Sequence, residues 1–421
     1  MKRRVVWSAV LVAGLALTGC GSASDPGPSS GGSSGKLVVW DWKSGEATAA
    51  RYLEKAKADF AREHPDVTVE FVAQPYDQYY TLLGTAIQSG SGPDVILFNG
   101  GGQIRDRTDA LLPLDEYVAQ DKQRLAGWDA FRKDGRTYAG PVTLQGHPIY
   151  YNKALYEKAG LDPASPATTW PEFVQDCAAI AKVKAKCFAL GNKEGFGIQF
   201  WLSALGSGTL TAEEYDNWIA GKRDWNSPDV KRIFQLWKEA GDTGLNNDGA
   251  NSTAMFNDSF ALFQSGKAAH VIGLMSDIGH WKDFNEFLTP GKLGVMDAPV
   301  VTPGTTPTLA YDGGIGYAVA KWTKDPKVAA DLVRSLTSAV ALEAFHADAG
   351  AIAADTTIDV SAGGPAVTTI VSGLKTGRPA LHVALSSKTL DLMGRLSQQL
   401  LSGSVTVDEA VKQLAASDQA G

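Results

Sequence analysis

The chain has 421 residues, 44% of them hydrophobic and 20% charged, with a formal net charge of −7. That length is generous for one hydrophobic core and comfortable for two, while the acidic balance argues against nucleic acid or an anionic surface as the main partner. The 3 Cys and 6 His fall in no H-E-x-x-H or C-x-x-C spacing, so no metal site and no cofactor are indicated.

The first element is a leader. Met1-Lys2-Arg3-Arg4 is positive, and Val5 to Leu17 is uncharged and largely apolar, shorter than the about 20 residues needed to cross a bilayer. It ends in Leu17-Thr18-Gly19-Cys20, which resembles the lipobox of bacterial lipoproteins. The resemblance implies a signal peptide over 1–19, a lipidated Cys20 and stable anchoring through its acyl chains at the extracellular face of the cell membrane. Loss of Lys2, Arg3 and Arg4 takes the formal charge from −7 to −10. Gly21 to Gly35 is almost entirely Ser, Gly and Pro, so 20–35 reads as the anchor and a flexible tether. With Cys20 lipidated, Cys177 and Cys187 remain. Outside the cell a disulfide between them is expected, worth about 3 kcal/mol of unfolded-state entropy; two free thiols are the alternative.

The folded part begins near Lys36. Lys36-Leu-Val-Val-Trp40 reads as a buried strand. From Glu46 to His64, Ala49, Tyr52, Leu53, Ala56 and Phe60 recur on one helical face. Val67 to Val72 alternates as a strand, a helix follows over about 77–88, and Asp94 to Phe98 is a third strand after the turn Ser89-Gly-Ser-Gly-Pro93. This is an α/β unit with parallel strands, in which ligands bind beyond the strands' carboxyl ends. From Asn152 to about Gly279 helical segments alternate with aromatic-rich loops. Thr169 is the N-cap of a helix with Pro171 in its first turn. Gly313 to Ala320 is a glycine-led strand, Asp325 to Arg334 a helix, and two more helices lie near 389–402 and 406–416.

Four motifs in this order resemble one family. They are Ser91-Gly-Pro-Asp-Val-Ile96; Tyr138-Ala-Gly-Pro-Val followed by His147-Pro-Ile-Tyr-Tyr-Asn-Lys153; Ala167-Thr-Thr-Trp-Pro-Glu-Phe173; and Asp312-Gly-Gly-Ile-Gly-Tyr-Ala-Val with the Asp325-Pro-Lys helix behind it. Together they resemble the extracellular solute-binding proteins of ABC importers, in the carbohydrate branch that includes maltose-binding protein. The resemblance covers nearly all of the mature chain. It implies a two-lobed α/β fold of the periplasmic-binding-protein type II kind, with a ligand cleft between lobes joined by two or three hinge strands. Lobe I would be 36–142 plus about 313–350, and lobe II about 143–312 plus about 351–421. The implied partners are a sugar or polyol and the permease subunits of a membrane importer, for a protein acting as a monomer.

A sugar presents apolar C–H faces and a rim of hydroxyls, which call for aromatic platforms and fixed polar side chains. By position at the strand ends, the candidates are Asp41 and Trp42, Gln74 and Tyr76, and Phe98 and Asn99. Gln145 sits where the resemblance places an acidic sugar ligand, and its amide both donates and accepts; His147 nearby is a ligand or a structural histidine. In the second lobe the loop region of Phe196, Phe200 and Trp201 is expected to supply a stacking ring, with Trp201 favoured. Where the family often has a Trp, this chain has Ser276 and Asp277, with Trp281 a helical turn on as a substitute. Gly313 and Gly314 offer either backbone N–H groups to the ligand or freedom to a hinge. From Lys36 onward no G-x-S-x-G pattern, and nowhere a Walker A or G-x-G-x-x-G pattern, supports catalysis. The alternatives are a surface glycoside hydrolase, an adhesin and a binder of a non-sugar solute.

Overall fold

The N-terminal alternation of strand and helix folds as its periodicity implies. The computed structural model describes residues 35–419 apart from 276–279, 290 and 361–362. The leader, Cys20, Ser276 and Asp277 lie outside the described residues. In chain order the strands are β1 (Lys36–Asp41), β2 (Thr68–Ala73), β3 (Val95–Asn99), the short hairpin β4 (Arg132–Lys133) and β5 (Arg136–Thr137), β6 (Ala139–Pro141), β7 (Leu144–Gly146), β8 (Ile149–Asn152), β9 (Lys186–Ala189), β10 (Ala268–Ile272), β11 (Leu293–Met296), β12 (Tyr311–Gly313) and β13 (Ile315–Val319).

Two sheets organise the molecule. The first has the order β2-β1-β3-β13-β6; β1 runs parallel to β2 and β3, and β13 returns antiparallel between β3 and β6. Val95 to Phe98 of β3 are all buried, the unbroken apolar run expected of a central strand covered on both faces. Helix Ala50–Glu63 buries Tyr52, Leu53, Ala56 and Phe60 and packs against helices Pro326–Leu336 and Ala339–Ala349. The second sheet has the order β11-β8-β10-β9, with β9 and β10 parallel and β8 antiparallel to both neighbours.

Helix Trp170–Lys182 covers β9. It starts with a capping box: the Glu172 N–H donates to the Thr169 hydroxyl, the Glu172 carboxylate accepts from the Thr169 N–H, and Pro171 sits in the first turn. Cys177 on this helix is bridged to Cys187 on β9. Helix Gly197–Thr209 is buried on nearly every side, as an all-round apolar helix must be, and lies against helices Pro228–Asp242 and Ser387–Ser402. The Ser387–Ser402 helix packs in turn on Val407–Gln419. Among the described residues no helix is long and apolar enough to cross a membrane.

Three segments join the two sheets. β7 pairs antiparallel with β12, setting Gln145 opposite Asp312 and Leu144 opposite Gly313. Beside them the 352–354 stretch adds a third line: the Leu144 N–H donates to the Ile352 carbonyl at 2.8 Å and the Ala354 N–H to the Val142 carbonyl at 2.9 Å. Crossings so short bend about few dihedrals, which is the construction of a hinge.

Candidate ligand cleft

The carboxyl ends of β1, β2 and β3 bring a set of rings and amides together. Trp42 meets Tyr76 edge-on at 5.2 Å and Tyr79 at 4.8 Å. The Asn99 side-chain amide donates to the Tyr76 hydroxyl at 3.1 Å, and its backbone N–H to the Tyr80 hydroxyl at 3.0 Å. The Arg107 guanidinium stands 5.0 Å over the Tyr80 ring, a cation–π contact. Tyr76 is 44% exposed, and Trp42, Gln74, Tyr80, Asn99 and Arg107 are half-buried. The result is a shelf with aromatic faces and hydrogen-bonding edges.

Not every expected residue joins it. Asp41 is fully buried: its carboxylate accepts the N–H groups of Lys43 (3.0 Å) and Ser44 (2.7 Å) and the Tyr317 hydroxyl (3.2 Å), so it ties the turn that aims Trp42. Phe98 has no exposed surface and belongs to the core. Trp201, expected on a loop, lies inside helix Gly197–Thr209 with 2% exposure and donates its indole N–H to the Ile233 carbonyl at 3.2 Å. A helix apolar on every side has no amphipathic period, so the sequence pattern does not mark it. Gly313 and Gly314 spend their N–H groups on the Asp312 carboxylate (2.8 Å) and the Thr143 carbonyl (2.7 Å). A Cβ at Gly313 would lie 2.3 Å from the Gly127 carbonyl oxygen. These glycines thus serve close strand approach at the hinge. Trp281 donates its indole N–H to the Gly350 carbonyl at 2.7 Å and is 8% exposed, which makes it packing.

The second-sheet side contributes a pocket of about 190 Å³ lined by Glu194, Phe196, Gln199, Asp391, Arg395 and Gln398 among others. Burial holds the Asp391 carboxyl above its usual range, opposed by the positive charges of Arg395 on its own helix and Arg107 from the shelf. Beside them, His147 stacks on Phe200 at 4.6 Å and meets His382 edge-on at 4.9 Å. His147 is 2% exposed, and both ring nitrogens lack hydrogen-bond partners; burial pushes its pKa well down. His382, beside the Ser203 hydroxyl (2.8 Å), is pushed down to about 4 by burial. Gln145 is half-buried on the hinge opposite Asp312, whose carboxyl burial pushes up to about 7. Sequence reasoning missed Tyr80, Arg107, Gln199, Asp391 and Arg395. Arg107 carried a signal, one helical turn past a strand end, whereas Asp391 and Arg395 sit on a remote helix that only folding brings round.

Two α/β halves joined by short paired strands define a hinged, two-lobed fold. Residues 43–343 match the family model for bacterial extracellular solute-binding proteins, and the chain belongs to that family. Binding proteins of Brucella abortus and Brucella suis are 28% identical over 279 residues, which is 63% of this chain and 62% of theirs, so the match spans less than two thirds of those relatives. A maltodextrin-binding protein of Bacillus subtilis is 26% identical over 81% of this chain and 78% of its own. Among solved structures, a chitin oligosaccharide binding protein superposes with a TM-score of 0.79 at 18% identity, covering 91% of this chain and 98% of that one. A maltose-bound protein of T. maritima gives 0.75 at 20% identity, with 91% and 99% covered. These structures establish the two-lobed fold.

Proposed function

We propose that this protein captures a sugar, mono- or oligosaccharide, or a polyol outside the cell and delivers it to the permease of an ABC importer. The observation that carries the reading is the shelf of Trp42, Tyr76, Tyr80 and Asn99 at the carboxyl ends of β1, β2 and β3, with a second pocket of Phe196, Gln199, Asp391 and Arg395 on the second-sheet side. Rings suit the C–H faces of a pyranose, and amides with charged groups of both signs suit its hydroxyls. The names of relatives that bind maltodextrin and multiple sugars support it. Lobe I is 36–142 with about 313–350 and lobe II is about 143–312 with about 351–421. The chain is held at the outer face of the membrane by a lipidated Cys20, acts as a monomer and binds its ligand without turning it over.

A thermal-melt screen against sugars, polyols and amino acids tests this. A ligand at a hundredfold its dissociation constant adds about 2.7 kcal/mol, and each kcal/mol raises the melt of a mid-sized domain by roughly 2–4 °C. One carbohydrate class is expected to shift the melt by several degrees and to be recovered intact. No shift with any carbohydrate would remove the sugar assignment, and products of cleavage would favour a hydrolase.

A further inference from the structure

Two of the glycines after β3, Gly101 and Gly102, lie under the backbone of the other lobe. A Cβ at Gly102 would fall 2.7 Å from the Leu385 carbonyl oxygen and 2.8 Å from the Ser387 nitrogen. One at Gly101, whose φ is +82°, would fall 2.9 Å from the Val383 carbonyl oxygen. Segment 381–387 is fixed to the second lobe: Trp218 donates its indole N–H to the Leu381 carbonyl at 3.0 Å, and Tyr215 its hydroxyl to the Pro379 carbonyl at 2.8 Å. Absence of side chains at 101 and 102 therefore lets one lobe's backbone seat directly on the other.

On that seat stand two polar contacts. Arg105 donates to the Val383 carbonyl. Asp106 accepts the Ser387 backbone N–H at 3.0 Å and also bonds the Ser387 hydroxyl. Ser387 opens helix Ser387–Ser402, where the first N–H groups have no partner within the helix. The N-cap Ser386 accepts from Thr389, which leaves the Ser387 N–H to be satisfied from outside. This helix has no acidic residue in its first turn, where a carboxylate is favoured by the helix dipole. The missing carboxylate is supplied by Asp106, from the opposite lobe. Such a bond exists only while the lobes are together, so it stabilises the closed arrangement and not either lobe alone.

We propose that Asp106 and the N-terminus of the Ser387–Ser402 helix form a latch between the lobes that sets how long captured ligand is held. Asp106 is thus a positioning residue for capture; the inference rests on the proposed capture function for its ligand readout but not for its structural one.

The test is a double-mutant cycle on the full-length protein with the sugar that wild type binds. Asp106→Ala is expected to weaken affinity about tenfold, the scale of a hydrogen bond to a charged group, through faster dissociation, with the unliganded melt lowered by no more than a few degrees. Ser387→Ala, which keeps the backbone N–H, is expected to lose less, and adding it to Asp106→Ala to lose nothing more. In parallel, spin labels placed one on each lobe of the unliganded protein should move apart in Asp106→Ala. Wild-type dissociation in Asp106→Ala, or losses that simply add, would overturn the latch while leaving capture intact. Should wild type bind no sugar, capture fails, and the label distance alone decides: unchanged separation overturns the latch too.

Discussion

Asp41 and Trp42 are neighbours at the end of β1 with opposite roles. The pleat turns Asp41 inward, where three hydrogen bonds offset its burial, and turns Trp42 out to the shelf. At the residue scale the proposed sugar site therefore rests on Trp42, Asn99 and Gln145. Asn99→Ala and Gln145→Ala are each expected to weaken sugar binding by about tenfold with the melt almost unmoved, as read by titration calorimetry beside thermal melts. Wild-type affinity in both would sink the assigned cleft, and a collapsed melt would make the residues structural. Burial also governs the acid response. His270 and His382 are both pushed down to about 4, so the unfolded chain, with histidines near 6.5, takes up protons before the native state does. Stability they contribute is whole above pH 6.5 and is lost as pH falls towards 4. Asp312, pushed up to about 7, works in the other sense. His147, also pushed well down, adds to the histidines, while other carboxyls that burial raises, such as Asp41 and Asp391, add to Asp312. His382→Gln isolates the histidine share and is expected to make the melt less sensitive to acid between pH 6.5 and 4. An unchanged slope in the variant would assign the acid response elsewhere.

At the scale of elements, the hinge is decided by close backbone approach. β12 can lie against the 127–131 turn only because Gly313 has no side chain: a Cβ there would meet the Gly127 carbonyl at 2.3 Å and the Phe131 ring at 2.6 Å. Gly313→Ala is expected to cost about 1–3 kcal/mol as overpacking, lowering the melt by several degrees, whereas an alanine at the open position Gly244 would report only its positive φ. A Gly313→Ala melt equal to wild type would mean that the strands part freely. Helices Trp170–Lys182 and Ser387–Ser402 show what local chemistry does settle: N-caps at Thr169 and Ser386 fix where each begins. The Cys177–Cys187 bridge then ties the first of these helices to β9.

For the whole molecule, the first three strands with the helices between them and the Thr169 cap were readable because the signal for each element is local: pleat alternation, helical periodicity and turn chemistry. The same locality let the ends of β1, β2 and β3 nominate Trp42, Tyr76 and Asn99. Other features depend on partners far apart in the chain. β13 slots antiparallel between β3 and β6, Gln145 faces Asp312, and Asp391 and Arg395 join Phe196 and Gln199 in one pocket. Trp201 and Phe98 carry the composition of a sugar platform but sit in the core, since aromatic rings serve packing and recognition equally and only burial separates the two. Sequence by itself thus determined the α/β opening and one wall of the proposed cleft through short-range pattern, and the two-lobed fold through its resemblance to a family. Tertiary structure alone decided the second-sheet pocket, the hinge pairing and the interlobe seat, because those are set by which distant backbones and charges meet.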